Sequence, residues 1–304
     1  METKMREEKT TFQSDGLKLD ASVYYPDDGP LRAELPLVLT CSGFQGLNAI
    51  HPSRFARSFT RQGYVCFGFD YRGFAASEGE PGRVHLEEQV RDITNAISFV
   101  RAKLNPRALV LSGWGMGGGL VLEAARIAEP VQGIIAMNGL YNAVRFQKAH
   151  RGESGWNDFR SWMATERRRL VAGGEPRKVD PFDIYPMDRE TTTYVDETLR
   201  KHEAFGHGVW PSFADSLLQL EADAHVSQAA PPPILIAHGD RNGLHPKEEA
   251  QSLFARYPGP KEAYWVPDAG HTEWMLDHDP KFIALTKVMD RWMRALVSVQ
   301  PYVG

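Results

Sequence analysis

The chain contains little cysteine: only Cys41 and Cys66 among 304 residues. Two cysteines cannot form the disulfide framework of a small secreted domain, and no cysteine–histidine spacing typical of a zinc site occurs. Both lie in segments that we predict to be core strands, so we expect buried free thiols in a reducing, cytoplasmic compartment. We expect neither a metal nor a cofactor.

Long apolar runs and a large charge imbalance are also missing. No apolar stretch approaches the roughly 20 residues that span a bilayer. The charged N-terminal segment lacks the apolar run of a secretory signal. The formal net charge of −4 gives no reason to expect nucleic acid or a membrane as partner. The remaining composition, 42% hydrophobic and 24% charged, is typical of a globular protein.

Strand and helix patterns alternate along most of the sequence. Continuous apolar runs predict buried strands at 36–41, 64–70, 108–112, 132–137, 233–238 and 261–266. Helical spacing predicts helices at 53–62, 86–104, 116–128, 246–257 and 282–297. This alternation predicts an α/β fold with a mostly parallel, doubly wound sheet.

The first 25 residues have a different pattern. Residues 1–9 are predicted to be a frayed polar end. Two segments with alternating apolar residues, 10–13 and 17–25, flank the turn signal Ser14-Asp15-Gly16. We therefore predict an antiparallel hairpin at the edge of the sheet.

Residues 141–229 interrupt the alternation. They have apolar residues at helical spacing but no clean buried strand, and they are too long for a bare connection. We predict a helical cap over a core made of residues 1–140 and 230–304. Aromatic residues are expected to line an apolar substrate pocket. Those proposed for the pocket are Trp114, Trp156, Trp210 and Tyr141.

One stretch, 109–125, has the pattern of a nucleophile elbow. An apolar run is followed by a glycine-rich turn and a helix-forming run, which is the setting of a G-x-S-x-G motif. The motif here is Gly113-Trp114-Gly115-Met116-Gly117. Gly115 stands where the serine nucleophile is expected, so this chain cannot form an acyl-serine at that position.

Four further motifs follow predicted strands in an order that this kind of fold uses. They are Ser42-Gly43-Phe44-Gln45-Gly46, Phe69-Asp70-Tyr71-Arg72-Gly73-Phe74 with Ser77-Glu78-Gly79, His238-Gly239-Asp240-Arg241-Asn242, and Gly270-His271. With the elbow they cover nearly the whole chain. The chain resembles the α/β-hydrolase superfamily, in its capped, dienelactone-hydrolase-like and acyltransferase-like branch.

The resemblance implies a role for each site residue. His271 corresponds to the catalytic histidine and Asn242 to the acid, where the family usually has a carboxylate. Asp240, two residues earlier, is an alternative acid. The N–H groups of Met116 and Phe44 correspond to the oxyanion donors, which do not depend on side chains.

Other polar residues are expected to have lesser roles. Asp70 and Arg72 should hold their loop together. Cys41 and Ser42 are weak candidates for a displaced nucleophile, because no base stands beside them in sequence. We expect four further histidines at the surface: His202, His207, His225 and His245.

Three functions remain open from the sequence. The first is an enzyme without covalent catalysis, a lyase, dehydratase, isomerase, cyclase or water-attack hydrolase. His271 would act as general base or acid on a small apolar or aromatic carbonyl compound, with secondary metabolism as the expected setting. The second is a serine hydrolase or acyltransferase in which Gly115 replaces the serine, inactivating it. The third is a non-catalytic relative that binds a small molecule. The long C-terminal helix leaves a homodimer open.

Overall fold

Among the residues that the structure describes, eight strands form one sheet in the order β1-β2-β4-β3-β5-β6-β7-β8. The computed structural model describes residues 5–26, 34–226 and 230–299. The strands are Met5–Ser14 (β1), Leu17–Pro26 (β2), Leu37–Cys41 (β3), Cys66–Phe69 (β4), Leu109–Trp114 (β5), Gly133–Met137 (β6), Ile234–Gly239 (β7) and Lys261–Val266 (β8). Strands β3 to β8 are parallel to one another, whereas β2 is antiparallel to β1 and β4. The predicted α/β-hydrolase fold with a mostly parallel sheet is confirmed.

Helices follow most of the strands. They are His51–Arg61 (α1), Leu86–Leu104 (α2), Met116–Ile127 (α3), Ala143–Val171 (α4), Pro181–Ile184 (α5), Arg189–Glu197 (α6), Ser212–Leu217 (α7), Ala222–His225 (α8), Lys247–Arg256 (α9) and Pro280–Val299 (α10). A 3₁₀ turn at Leu199–Lys201 follows α6. Helix α4 is interrupted at Gly152, whose φ is +65°.

The hairpin extends further than predicted. Strand β1 begins at Met5 and pairs with β2 along its whole length, so the expectation of a frayed end is wrong for residues 5–9. Ladder hydrogen bonds do not require apolar side chains, and Ser22 on β2 links Lys9 and Glu7 across the pair. Residues 1–4 lie outside the described residues.

The core lies on both faces of the sheet. Alternate residues of β5 point to opposite sides: Leu109 and Leu111 pack towards α2 and α3, and Val110 packs with α1 and α10. Cys41 and Cys66 are buried free thiols, as predicted. Burial raises the pKa of both thiols, so each stays protonated at neutral pH.

The described residues between β6 and β7 form helices α4 to α8 and no strand of the sheet. Apolar side chains from α5, α6 and the 3₁₀ turn face the carboxyl ends of the central strands. The division into core and cap at 141–229 stays a prediction, and residues 227–229 lie outside the described part. None of the described helices is both long enough and apolar enough to cross a membrane.

Candidate active site

The turn after β5 keeps the backbone of a nucleophile elbow. Gly115 has φ +58° and ψ −127°, a conformation that residues with a Cβ rarely adopt. Its N–H donates to the carbonyl of Met137, and its own carbonyl accepts from Gly118 and Leu140. The flanking positions require glycine because the strand and the helix are in contact there. A Cβ on Gly113 would overlap the carbonyl of Gly117. The frame of the motif is therefore intact around Gly115.

Two residues that border the space beside this turn have backbone N–H groups without a partner in the described chain. In the described chain, neither the N–H of Phe44 nor that of Met116 donates to another group, and both residues line one cavity. Met116 begins α3, where the helix dipole adds partial positive charge. The carbonyl of Phe44 accepts from the side-chain amide of Gln89 at 2.9 Å, and this bond holds the loop in place. The arrangement can accept a developing negative charge on a carbonyl oxygen.

His271 lies directly against the vacant nucleophile position. Its Nε2 atom is 3.4 Å from the point that a Cβ on Gly115 would occupy. The loop that carries it is fixed by Asn138, whose amide donates to the His271 carbonyl at 2.6 Å. The Asn138 side-chain oxygen accepts from the N–H of Gly239 at 2.7 Å. The imidazole thus faces the volume that a serine side chain would fill.

The electrostatics keep this imidazole neutral. Burial lowers the pKa of His271 well below its ordinary value, and the nearby His245, His51 and His238 lower it further. At neutral pH the ring is deprotonated and available to accept a proton. Its Nδ1 atom is buried and, within the described part of the chain, has no hydrogen-bond partner.

The predicted acid turn does not reach His271 by a hydrogen bond. Asn242 is buried, but its side-chain oxygen accepts from the backbone N–H of His245 at 3.0 Å, and its Nδ2 is unpartnered among the described residues. Asp240 is exposed, which corrects its assignment as an alternative acid. After β7 ends at Gly239, the tight turn directs Asp240 to solvent and Asn242 inwards. No carboxylate of the described chain bonds the His271 imidazole, although the Glu273 carboxylate accepts from the backbone N–H groups of Gly270 and Thr272.

His245 takes part in the site, although the sequence predicted it at the surface. That prediction is wrong, because His245 is fully buried and its ring lies 4.8 Å from the His271 ring. Its Nδ1 lies 2.6 Å from the Asn138 carbonyl, and its Nε2 bonds the hydroxyl of Tyr185. Burial lowers the pKa of His245 to about 3, so this ring is also neutral. Its place directly after the acid turn was the available signal.

These groups border an apolar cavity of about 80 Å³. The polar lining comes from the loop after β3, α1, α6 and the His271 loop, and much of the apolar lining comes from the helices and loops between β6 and β7. The apolar residues include Ile50, Phe182, Met187, Val195, Leu199, Phe205 and Leu244. Among the lining residues that the structure describes, none is Asp, Glu, Lys or Arg. The cavity fits a small uncharged molecule.

Of the four predicted pocket aromatics, only Trp114 lines this cavity. The other three are corrections, because tertiary packing uses them elsewhere. Trp156 packs on Phe159 within α4. Trp210 donates from its indole to Glu80 at 2.7 Å. Tyr141 is fully buried against Gly118 of α3.

Asp70 and Arg72 have the structural roles expected of them. Asp70 accepts from the N–H of Asn48 at 2.6 Å. Arg72 pairs with the buried Asp92 at 2.6 Å. Both contacts tie the loop after β4 to neighbouring segments.

Comparisons with known proteins agree with this fold. A family model described as serine aminopeptidase, S33, matches residues 36–279. The thiohydrolase aneE of Aspergillus aculeatus is 25% identical over 293 residues, covering 88% of this chain and 89% of that protein. The solved structure of DcsB in complex with its substrate analogue has a TM-score of 0.80 at 16% identity, covering 95% of this chain and 99% of DcsB. The solved structure of a hypothetical protein, PA2218 of Pseudomonas aeruginosa, has a TM-score of 0.78 at 19% identity. The match covers 95% of this chain and 94% of PA2218.

Proposed function

The chain belongs to the serine aminopeptidase S33 family of α/β hydrolases, and we propose that it is an enzyme of that family that works without a covalent intermediate. It acts on a small, uncharged carbonyl compound. His271 moves the proton, and the N–H groups of Phe44 and Met116 hold the carbonyl oxygen. Phe44 and Met116 are thus the oxyanion donors and His271 the catalytic residue of the proposal.

One observation carries the proposal. Nε2 of His271 lies 3.4 Å from where a Gly115 Cβ would be, and apart from Gly115 and the backbone segments adjoining it, His271 alone among the described residues comes within 4 Å of that point. A base and two oxyanion donors therefore surround a volume that the missing side chain leaves to the substrate. Proton transfer needs those groups and does not need a nucleophile.

The proposed first step is enolisation. Nε2 of His271 accepts a proton from the carbon beside the carbonyl, and the electron pair of the C–H bond forms the enolate. The enolate oxygen accepts from the two backbone N–H groups. The imidazolium formed stands next to this oxyanion, and its attraction to the oxyanion replaces the missing carboxylate. A lyase, dehydratase, isomerase or cyclase that breaks a C–H bond beside a carbonyl group can begin with this step.

Hydrogen–deuterium exchange tests the step without knowledge of the natural substrate. The protein is incubated with pentan-2-one in D₂O, and loss of the proton signals beside the carbonyl is followed by NMR. We expect exchange above the buffer rate, reduced at least about 10²-fold in His271→Ala. The exposed His207 supplies a control: His207→Phe should exchange like the wild type. Equal exchange by His271→Ala, or none by the wild type, contradicts the proposal.

A serine hydrolase with its nucleophile replaced is the second candidate. The retained φ of Gly115 and the reach of His271 both fit a serine at this position. The similarity to the thiohydrolase aneE makes thioester cleavage the natural reaction to assay. This candidate predicts that Gly115→Ser cleaves an acetyl thioester while the wild type neither cleaves it nor exchanges the ketone protons. Ketone binding with neither activity would instead indicate a non-catalytic binding protein.

A further inference from the structure

A second histidine faces the cavity, outside the groups assigned so far. His51 is the first residue of α1, directly after the loop that carries Phe44. Its ring lies 5.7 Å from the ring of Trp114, and the His271 ring lies 5.9 Å from the same indole. Both imidazoles therefore border one small cavity, along with the elbow.

The Nε2 atom of His51 has no partner of its own. It is buried, and the described residues offer it no hydrogen bond. The neighbouring Phe55 offers no polar atom, and the indole Nε1 of Trp114 is itself buried without a hydrogen-bond partner in the described chain. A buried nitrogen without a partner loses its hydrogen bonds to water on folding. Such an atom in a cavity wall indicates that a ligand supplies the partner.

The charge state of His51 and its surroundings restricts which ligand group can bond to Nε2. Burial lowers the pKa of His51 to about 3, with smaller contributions from Arg54 and His202, so the ring is neutral at neutral pH. Arg54 faces Asp277 and does not line the cavity. A substrate carboxylate or ammonium would therefore be buried there without a counter-charge, at a high cost in desolvation.

We propose that His51 determines specificity by hydrogen-bonding, through Nε2, a hydroxyl group of the substrate. The substrate class is then a neutral hydroxycarbonyl compound, with its carbonyl at the N–H groups of Phe44 and Met116. This inference rests on the proposed function and names its substrate class. A hydroxyl suits either neutral tautomer of the imidazole, because it both donates and accepts.

Two other cavity groups are consistent with an oxygenated ligand. Thr272 Oγ1 and Gln45 Nε2 are buried and have no hydrogen-bond partner in the described chain. Gln45 is already held through its other amide atom, which accepts from the Gly206 N–H at 3.1 Å. The cavity wall thus has more unpartnered polar atoms than the single carbonyl oxygen of a simple ketone can bond.

Matched ligands test the inference. Dissociation constants are measured by ligand-observed NMR for pentan-2-one and for its 3-, 4- and 5-hydroxy derivatives. We expect at least one hydroxy derivative to bind the wild type about 10-fold more tightly than pentan-2-one, as one well-placed hydrogen bond allows. In His51→Phe and His51→Leu this ratio should fall to about one. The exposed His207→Phe should keep the wild-type ratio.

The outcomes of this experiment distinguish a failure of the His51 role from a failure of the carbonyl site. Wild-type binding of pentan-2-one without any gain from a hydroxyl overturns the role of His51 and leaves the proposed function standing. A preference that persists in a folded His51 variant, judged by circular dichroism, also overturns it. Failure of all four ketones to bind the wild type contradicts the carbonyl site, and with it both proposals.

Discussion

The imidazole rings of His245 and His271 lie 4.8 Å apart with an interplanar angle of 82°. A carbonyl oxygen can only accept, so Nδ1 of His245 must donate to the carbonyl of Asn138. In the neutral ring Nε2 is then the acceptor, and the Tyr185 hydroxyl must donate to it. Both nitrogens of His245 are engaged, and it holds the His271 ring by packing, not by charge.

The Tyr185–His245 bond gives the first prediction. Tyr185→Phe leaves Nε2 of His245 buried without a donor, so the free energy of unfolding should fall by about 1–3 kcal/mol in urea titrations. Tyr194→Phe is the matched control, because its hydroxyl makes no hydrogen bond to the described residues, and it should change stability by less than about 0.5 kcal/mol. Equal effects of the two variants would show that the bond is not formed in solution.

The second prediction concerns rebuilding the triad. Gly115→Ser alone should hydrolyse p-nitrophenyl acetate slowly, because no carboxylate stabilises the imidazolium. Adding Asn242→Asp should raise the rate at least about 10²-fold, since a comparable Asp→Asn change in a serine protease costs about 10⁴. Adding Asp240→Asn should leave the rate of Gly115→Ser unchanged, because Asp240 is exposed. A rate that does not respond to Asn242→Asp would show that this position cannot serve His271.

The third prediction compares two glycines with left-handed backbone. Gly115 and Gly173 have φ of +58° and +85°, and among the described residues no atom outside the adjoining backbone lies within 4 Å of the Cβ position of Gly173. Alanine at either site should lower the free energy of unfolding by about 1–2 kcal/mol through backbone strain. Only Gly115→Ala should also slow ketone exchange, since its methyl group fills the space beside Nε2 of His271. Unchanged exchange in that variant would mean that the substrate does not use this space.

The fourth prediction is a dependence of stability on pH. The folded-state pKa of His51, about 3, lies below the unfolded value near 6.5, so the unfolded chain binds the extra proton. The stability that comes from keeping His51 neutral is therefore fully present above about pH 6.5. It is lost as the pH falls towards 3, by up to about 1.4 kcal/mol per pH unit. Relative to wild type, His51→Phe should gain about 2 kcal/mol between pH 7.5 and pH 5. Urea titrations at both pH values measure this, with His207→Phe following the wild-type curve.

Features encoded by local backbone geometry could be predicted from the sequence. The elbow was predictable because Gly113 and Gly117 must lack a Cβ where chain segments touch. His271 was predictable because its loop follows a strand at a fixed place in the chain order. The same reasoning predicted the parallel strands, since runs such as that of β5 are buried on both faces.

Features set by long-range packing could not be predicted. His51 has no local signal that distinguishes an imidazole at the cavity from one at the surface, because Trp114, which it packs against, is distant in sequence. The cap helices have apolar residues at helical spacing, but spacing does not decide which aromatic side chain turns to the cavity. Trp156 and Trp210 therefore looked equivalent to Trp114 and are not.

The two outermost strands have a consequence for assembly. An edge strand has one row of backbone groups that no strand of its own sheet pairs, and this row is a template for another chain. Here the edges begin with charged, exposed side chains, Glu7 and Glu8 on β1 and Lys261 and Glu262 on β8. A further strand paired at either edge would bring its own side chains close to these charges. The sheet should therefore resist growth by edge-to-edge aggregation.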